Sequence, residues 1–119
     1  MCDFFKQMAD KADDGIMFAD EKGIIKYWNG GCENIFGFSE EEAVGENLDI
    51  IIPEKHRKRH WDGYFEVLKT GETAYKGKML QVPALKKNGE RILIRFSIQL
   101  IEEDGKYIGF SSVVREVQK

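Results

Sequence analysis

Residues 91–100 read RILIRFSIQL, in which Ile92, Ile94, Phe96, Ile98 and Leu100 alternate with Arg91, Arg95, Ser97 and Gln99. A period of two sends the first set to one side of a strand and the second to the other, so the stretch predicts a β-strand with one apolar and one mostly polar face. Asn88-Gly89 before it and Asp104-Gly105 after it are two-residue hairpin signals, because both dipeptides tolerate the positive φ that tight hairpin turns require. From Ala74 onward the chain therefore reads as three antiparallel strands. A sheet with one apolar face has to be covered, and the cover must come from upstream.

Upstream, Pro53 stands where a helix accepts proline, and the helical pattern runs through HRKRHWDGYFEVLK to Gly71, the longest helix expected. Ser39 and Glu42 form an S-x-x-E capping box that starts a short helix ended by Gly45, and Asn29 opens another in NGGCENIFG. GIMFAD and IIKYWN read as two strands joined by a turn at Gly23. In DFFKQMADKA, Phe4, Met8 and Ala12 recur at helical spacing, which predicts a short amphipathic N-terminal helix. The order is strand, strand, helices, strand, strand, strand. That order predicts an α+β fold: a five-stranded antiparallel sheet with short helices and one longer helix covering one face.

At 119 residues the chain is long enough for one core and too short for two. We expect a single domain over residues 1–119, with a cap helix at 1–13 and a core at 14–119. The formal net charge of -3 argues against a nucleic-acid footprint, and the basic group Lys55, Arg57, Lys58 and Arg59 reads as a solvated helix face. No apolar run approaches a membrane span and no signal-peptide pattern opens the chain, so no membrane association and a cytoplasmic location are expected. Two cysteines, Cys2 and Cys32, and two histidines, His56 and His60, cannot furnish a disulfide framework or a multi-residue zinc site. Cys32 reads as a small buried residue. The common nucleotide, hydrolase and metalloprotease signatures are absent, and with only scattered carboxylates left, no enzyme is expected.

The succession of strand, hairpin, WNGGCENIFGFSEEEAVG, IIPE, a helix ending in TGE, and three strands resembles a PAS sensory domain over nearly the whole chain. Within it, PEKHRKRH at 53–60 is similar to the PE-x-x-R-x-R-H helix start of the FixL-type oxygen-sensing heme PAS domains, where the histidine is the proximal iron ligand. The interval from His60 through Gly77 to Gly89 also matches without gaps. The resemblance implies heme b held by His60, the metal ligand. Tyr64 would share its helix face, His56, Arg57 and Arg59 would stand near the propionates, and Leu80, Phe96 and Ile98 would wall the distal side. Leu80 stands where that subfamily has a distal arginine, and Lys78 is the polar side chain nearest to it on the same strand face, with Met79 on the other face. An apolar distal wall would favour CO or NO over stabilised O2. Trp61, Tyr64 and Phe65 are expected in the core.

The expected function is a sensory domain that binds a small-molecule ligand, passes its state to a downstream signalling domain or partner protein, and forms a homodimer through the N-terminal helix and sheet. The alternatives are a cofactor-free interaction module, motivated by Phe4, Phe5 and Met8, or a PAS domain with another ligand such as noncovalent flavin. GENLDIII has no cysteine for a flavin adduct.

Overall fold

The computed structural model of the chain describes residues 4–71 and 79–117. Its elements are α1 (Phe4–Asp10), β1 (Gly15–Asp20), β2 (Ile25–Trp28), α2 (Gly30–Phe36), α3 (Glu40–Ala43), α4 (Arg57–Thr70), β3 (Leu80–Leu85), β4 (Arg91–Glu103) and β5 (Lys106–Glu116), with 3-10 turns at Leu48–Ile51 and Glu54–His56. The expected strand start at Ala74, and Cys2, Gly77 and Lys78, lie outside the described residues.

The five strands form one antiparallel sheet in the order β2-β1-β5-β4-β3. The chain thus places β1 and β5, far apart in sequence, side by side at the centre. Alternation predicted from 91–100 holds: Leu80, Phe96 and Val114 stand opposite one another across β3, β4 and β5, and Leu100, Phe110 and Ala19 across β4, β5 and β1. This inner face is where the core sits. Met17, Ala19, Ile25, Trp28, Ile94, Phe110 and Val114 are buried against Cys32, Ile35, Phe36, Ala43, Leu48 and Ile51 of the covering elements. The opposite face carries exposed Arg95, Gln99, Val113 and Arg115.

Local signals explain the covering elements. Asn29 caps α2 by accepting from Cys32 N, and Gly37 ends it in the left-handed region at φ 85°. Ser39 and Glu42 make the capping box on α3 with both reciprocal bonds present. Gly71, at φ 74°, closes α4, as glycine does where a side chain would clash. Cys32 is fully buried within α2, and burial pushes its thiol up to about 12.

Two expectations are corrected. Asp104 and Gly105 do form a two-residue turn with both φ positive, between Glu103 and Lys106. Asn88-Gly89 does not: Lys86 N donates to Glu90 O and Gly89 N to Lys86 O, both at 2.9 Å, so the loop is Lys87–Asn88–Gly89. Gly89 serves as the left-handed residue after the turn, a geometry that suits the strand twist equally well. The second correction is Phe65, which is 49% exposed rather than in the core. Tyr64, one position earlier, takes the direction that reaches the sheet, and a step of about 100° along the helix leaves Phe65 outside, stacked on Trp61 at 5.6 Å.

Candidate functional site

Helix α4 is fixed in its roll by Tyr64. This side chain is buried, its ring is 4.7 Å from that of Phe110, and its hydroxyl donates to Asp20 O at 2.5 Å. Burial in turn raises the phenol well above its ordinary pKa. One helical turn earlier on the same line is His60. Its ring is edge-on to Trp61 at 4.5 Å and tilted over Tyr64 at 5.5 Å.

The His60 Nδ1 atom is sealed from solvent and has no hydrogen-bond partner among the described residues. Burial pushes the imidazole below its ordinary pKa of 6.5, against a smaller opposing pull from the Asp49 carboxylate. Desolvation penalises the cation, so the ring is held neutral, with its Nδ1 facing the interior. Because the folded pKa is depressed, the folded state binds fewer protons than the unfolded chain. The associated stability is present above the unfolded value near 6.5 and is lost as pH falls through the folded one. Thermal unfolding from pH 7.5 down to 5 should therefore show a steeper loss of Tm in the native protein than in His60→Leu. Parallel curves for the two would contradict the buried neutral ring.

Beside His60, Trp61 is anchored through its indole: Nε1 donates to Asp49 Oδ1 at 2.7 Å. Arg57 donates from Nε to Ile52 O at 3.0 Å and from Nη2 to Asp49 O at 3.1 Å, so its guanidinium fastens the segment before α4. His56 is half-buried at the N-cap of α4, and Arg59 is exposed. Asp49 was missed in the sequence reading. Its signal is a single carboxylate inside the apolar run LDIII, a position that needs a donor nearby.

On the inner sheet face, Leu80 and Phe96 are direct cross-strand partners and Ile98 follows two residues on, so the three share that face. All three are half-buried, although β4 is interior to the sheet. Among the described residues the helices lie mainly over β1, β2 and β5; Ala84 and Ile94 are nevertheless buried, and Leu80, Phe96 and Ile98 are the side chains left partly covered. Tyr64 on Phe110, whose strand partner is Leu100, links the His60 side to this wall. Met79 is 55% exposed. Among the described residues no three metal-ligating side chains cluster, so a metal held here would depend on a group that brings its own ligands.

A family model for the PAS domain matches residues 13–119. The chain belongs to the PAS domain family, whose members are in general sensory, non-catalytic modules of signalling proteins. It is 27% identical over 120 residues to the oxygen sensor protein DosP of Escherichia coli, a match spanning 91% of this chain and 15% of that protein. It is 40% identical over 57 residues to the sensor protein FixL of Bradyrhizobium diazoefficiens, spanning 48% of this chain and 11% of that one. The chain thus spans a small part of the curated relatives it matches. Among solved structures, the PAS domain of a Colwellia psychrerythraea protein superposes with a TM-score of 0.80 at 22% identity, covering 97% of this chain and 98% of that one. No helix among the described residues is long and apolar enough to cross a membrane.

Proposed function

We propose that this PAS domain is a sensor whose ligand is heme b, held through His60. The observation that carries the reading is the His60 ring, neutral by burial and with an enclosed nitrogen that no group among the described residues satisfies. Buried polar atoms are almost always paired, so an unpaired one in a domain whose inner sheet face includes a partly covered apolar wall suits a ligand. When bound, heme supplies an iron that takes up a diatomic gas, O2, CO or NO, or an electron. The chain's own residues do the rest. His60 provides a neutral nitrogen donor, Trp61 and Tyr64 hold its ring, and Leu80, Phe96 and Ile98 exclude water with a wall that contains no donor. His56 and Arg59 stand at the solvated end of α4 for the propionates, whereas Arg57 is committed to Asp49 and Ile52. Names alone support the same direction: two relatives are an oxygen sensor and FixL. The state of the ligand would pass to a downstream signalling domain or partner protein, in the cytoplasm.

Titration of the purified protein with hemin should give a Soret band that saturates at one equivalent and shifts on reduction. Absence of the band after growth with added heme would overturn the reading, and a flavin spectrum would replace it.

A second observation favours a homodimer. Phe4, Phe5 and Met8 of α1 are 60%, 71% and 65% exposed, an apolar group that water disfavours. The exposed Val113 adds apolar surface on the outer sheet face. Sedimentation equilibrium should give a dimer that Phe5→Glu converts to monomer; a monomer at high concentration would exclude it.

A further inference from the structure

The turn between β1 and β2 is gripped from two sides. On one, the Trp61 indole lies so close upon Gly23 that a Cβ there would clash with the ring edge, and Gly23 is buried at φ 82°. Tyr64 adds its hydrogen bond to Asp20 O. On the other side, Leu48 N donates to Gly23 O at 3.0 Å, and Ile24 forms a bridge with Asn47. The 3-10 turn that begins at Leu48 carries Asp49, which accepts the Trp61 indole N–H. These contacts close a circuit from turn to Trp61, to Asp49, and back to the turn.

His60 lies against both side chains that α4 sends into this circuit. We propose that the β1–β2 turn is the first element of the protein backbone displaced when a group binds at His60, with Trp61 as the positioning residue that transmits the displacement. The inference rests on the reading that His60 holds a ligand. A rotation of the His60 ring must move Trp61 or Tyr64, since close-packed side chains have no slack. Trp61 in turn moves only by leaving Asp49 or by lifting from Gly23, where the backbone itself is in contact. Leu80, Phe96 and Ile98 carry no side-chain donor or acceptor that ties them to a neighbouring element, whereas Trp61 is bonded to Asp49 and pressed on the Gly23 backbone. Displacement therefore passes to the turn.

The test is backbone amide hydrogen exchange on the full chain, with and without hemin, read at Gly23, Ile24 and Leu48. Their N–H groups bond to Asp20 O, Asp20 Oδ1 and Gly23 O. Hemin should change exchange at these amides by at least about threefold. In Trp61→Phe, which lacks the indole donor, the hemin-induced change, read at a hemin concentration that saturates the variant's own Soret band, should fall to less than about half of that. A Soret band with unaltered turn amides, or a full response in Trp61→Phe, overturns the proposal. If no Soret band forms, the heme reading fails by itself. The turn is then judged by His60→Leu without ligand, where the same amides must shift by a similar factor and unchanged exchange overturns the coupling.

Discussion

Asn29→Ala should lower the unfolding free energy by about 3 kcal/mol. Asn29 is 2% exposed, and its amide is fully used: Oδ1 accepts from Ile16 N at 2.8 Å and Cys32 N at 3.0 Å, while Nδ2 donates to Ala9 O at 2.7 Å and Asp14 O at 3.0 Å. One side chain thereby joins the end of α1, the start of β1 and the first turn of α2. Loss of an N-cap alone costs about 1 kcal/mol, and stranding a second interior N–H adds about 1–3 kcal/mol. For a domain of this size the total corresponds to a fall in Tm of about 12 °C, measurable by circular dichroism. Asn29→Asp is the informative control. It keeps the acceptor but turns an oxygen toward two carbonyl oxygens, so it should be no more stable than the alanine variant. A fall of less than about 3 °C in Asn29→Ala would mean that the amide is not the joint described.

The second large effect is on ligand binding. His60→Ala should abolish the Soret band obtained with hemin, while far-ultraviolet circular dichroism stays native. The helix keeps its hold because Tyr64, Trp61 and Arg57 carry the contacts to the sheet and the preceding segment, and among the described residues the His60 Nδ1 has no hydrogen-bond partner to lose. His56→Ala should retain the band. His56 is one helical turn earlier, at the end of the 3-10 turn that precedes α4, about 6 Å further along the axis. If both variants kept a normal band, the iron contact would lie elsewhere, and the resemblance of residues 53–60 would report fold alone.

Much of the fold was legible because its signals are local and redundant. Alternation in 91–100, the capping box at Ser39, and glycines at positive φ each specify one element without reference to any other. The central pairing of β1 with β5 is not local, and no periodicity announces it. Misreadings arose where one signal served two geometries. Asn88-Gly89 suits a two-residue turn and also the end of a three-residue loop, and Phe65 is one helical step from the buried Tyr64. The candidate site was marked in the sequence by one titratable residue, a histidine inside an aromatic stripe. What sequence spacing could not give was the occupation of Arg57 and the role of Asp49. Both depend on how the segment 49–52 folds back beneath α4, which side-chain hydrogen bonds decide.

The pairing of β1 with β5 also determines how the domain bears mechanical load. Gly15 stands opposite Val114 at one end of the ladder, and Asp14 and Arg115 are joined there by a two-pronged ion pair, at 3.1 and 3.0 Å. Tension applied through the flanks of β1 and β5 meets the ladder at that end. Because antiparallel hydrogen bonds lie perpendicular to the strands, such a pull opens them in succession, like a zipper, and never stretches all of them at once. The Asp14–Arg115 pair is the first tooth. Along this ladder the Ala19–Phe110 rung, where Tyr64 of α4 is in contact, lies toward the far end and opens late.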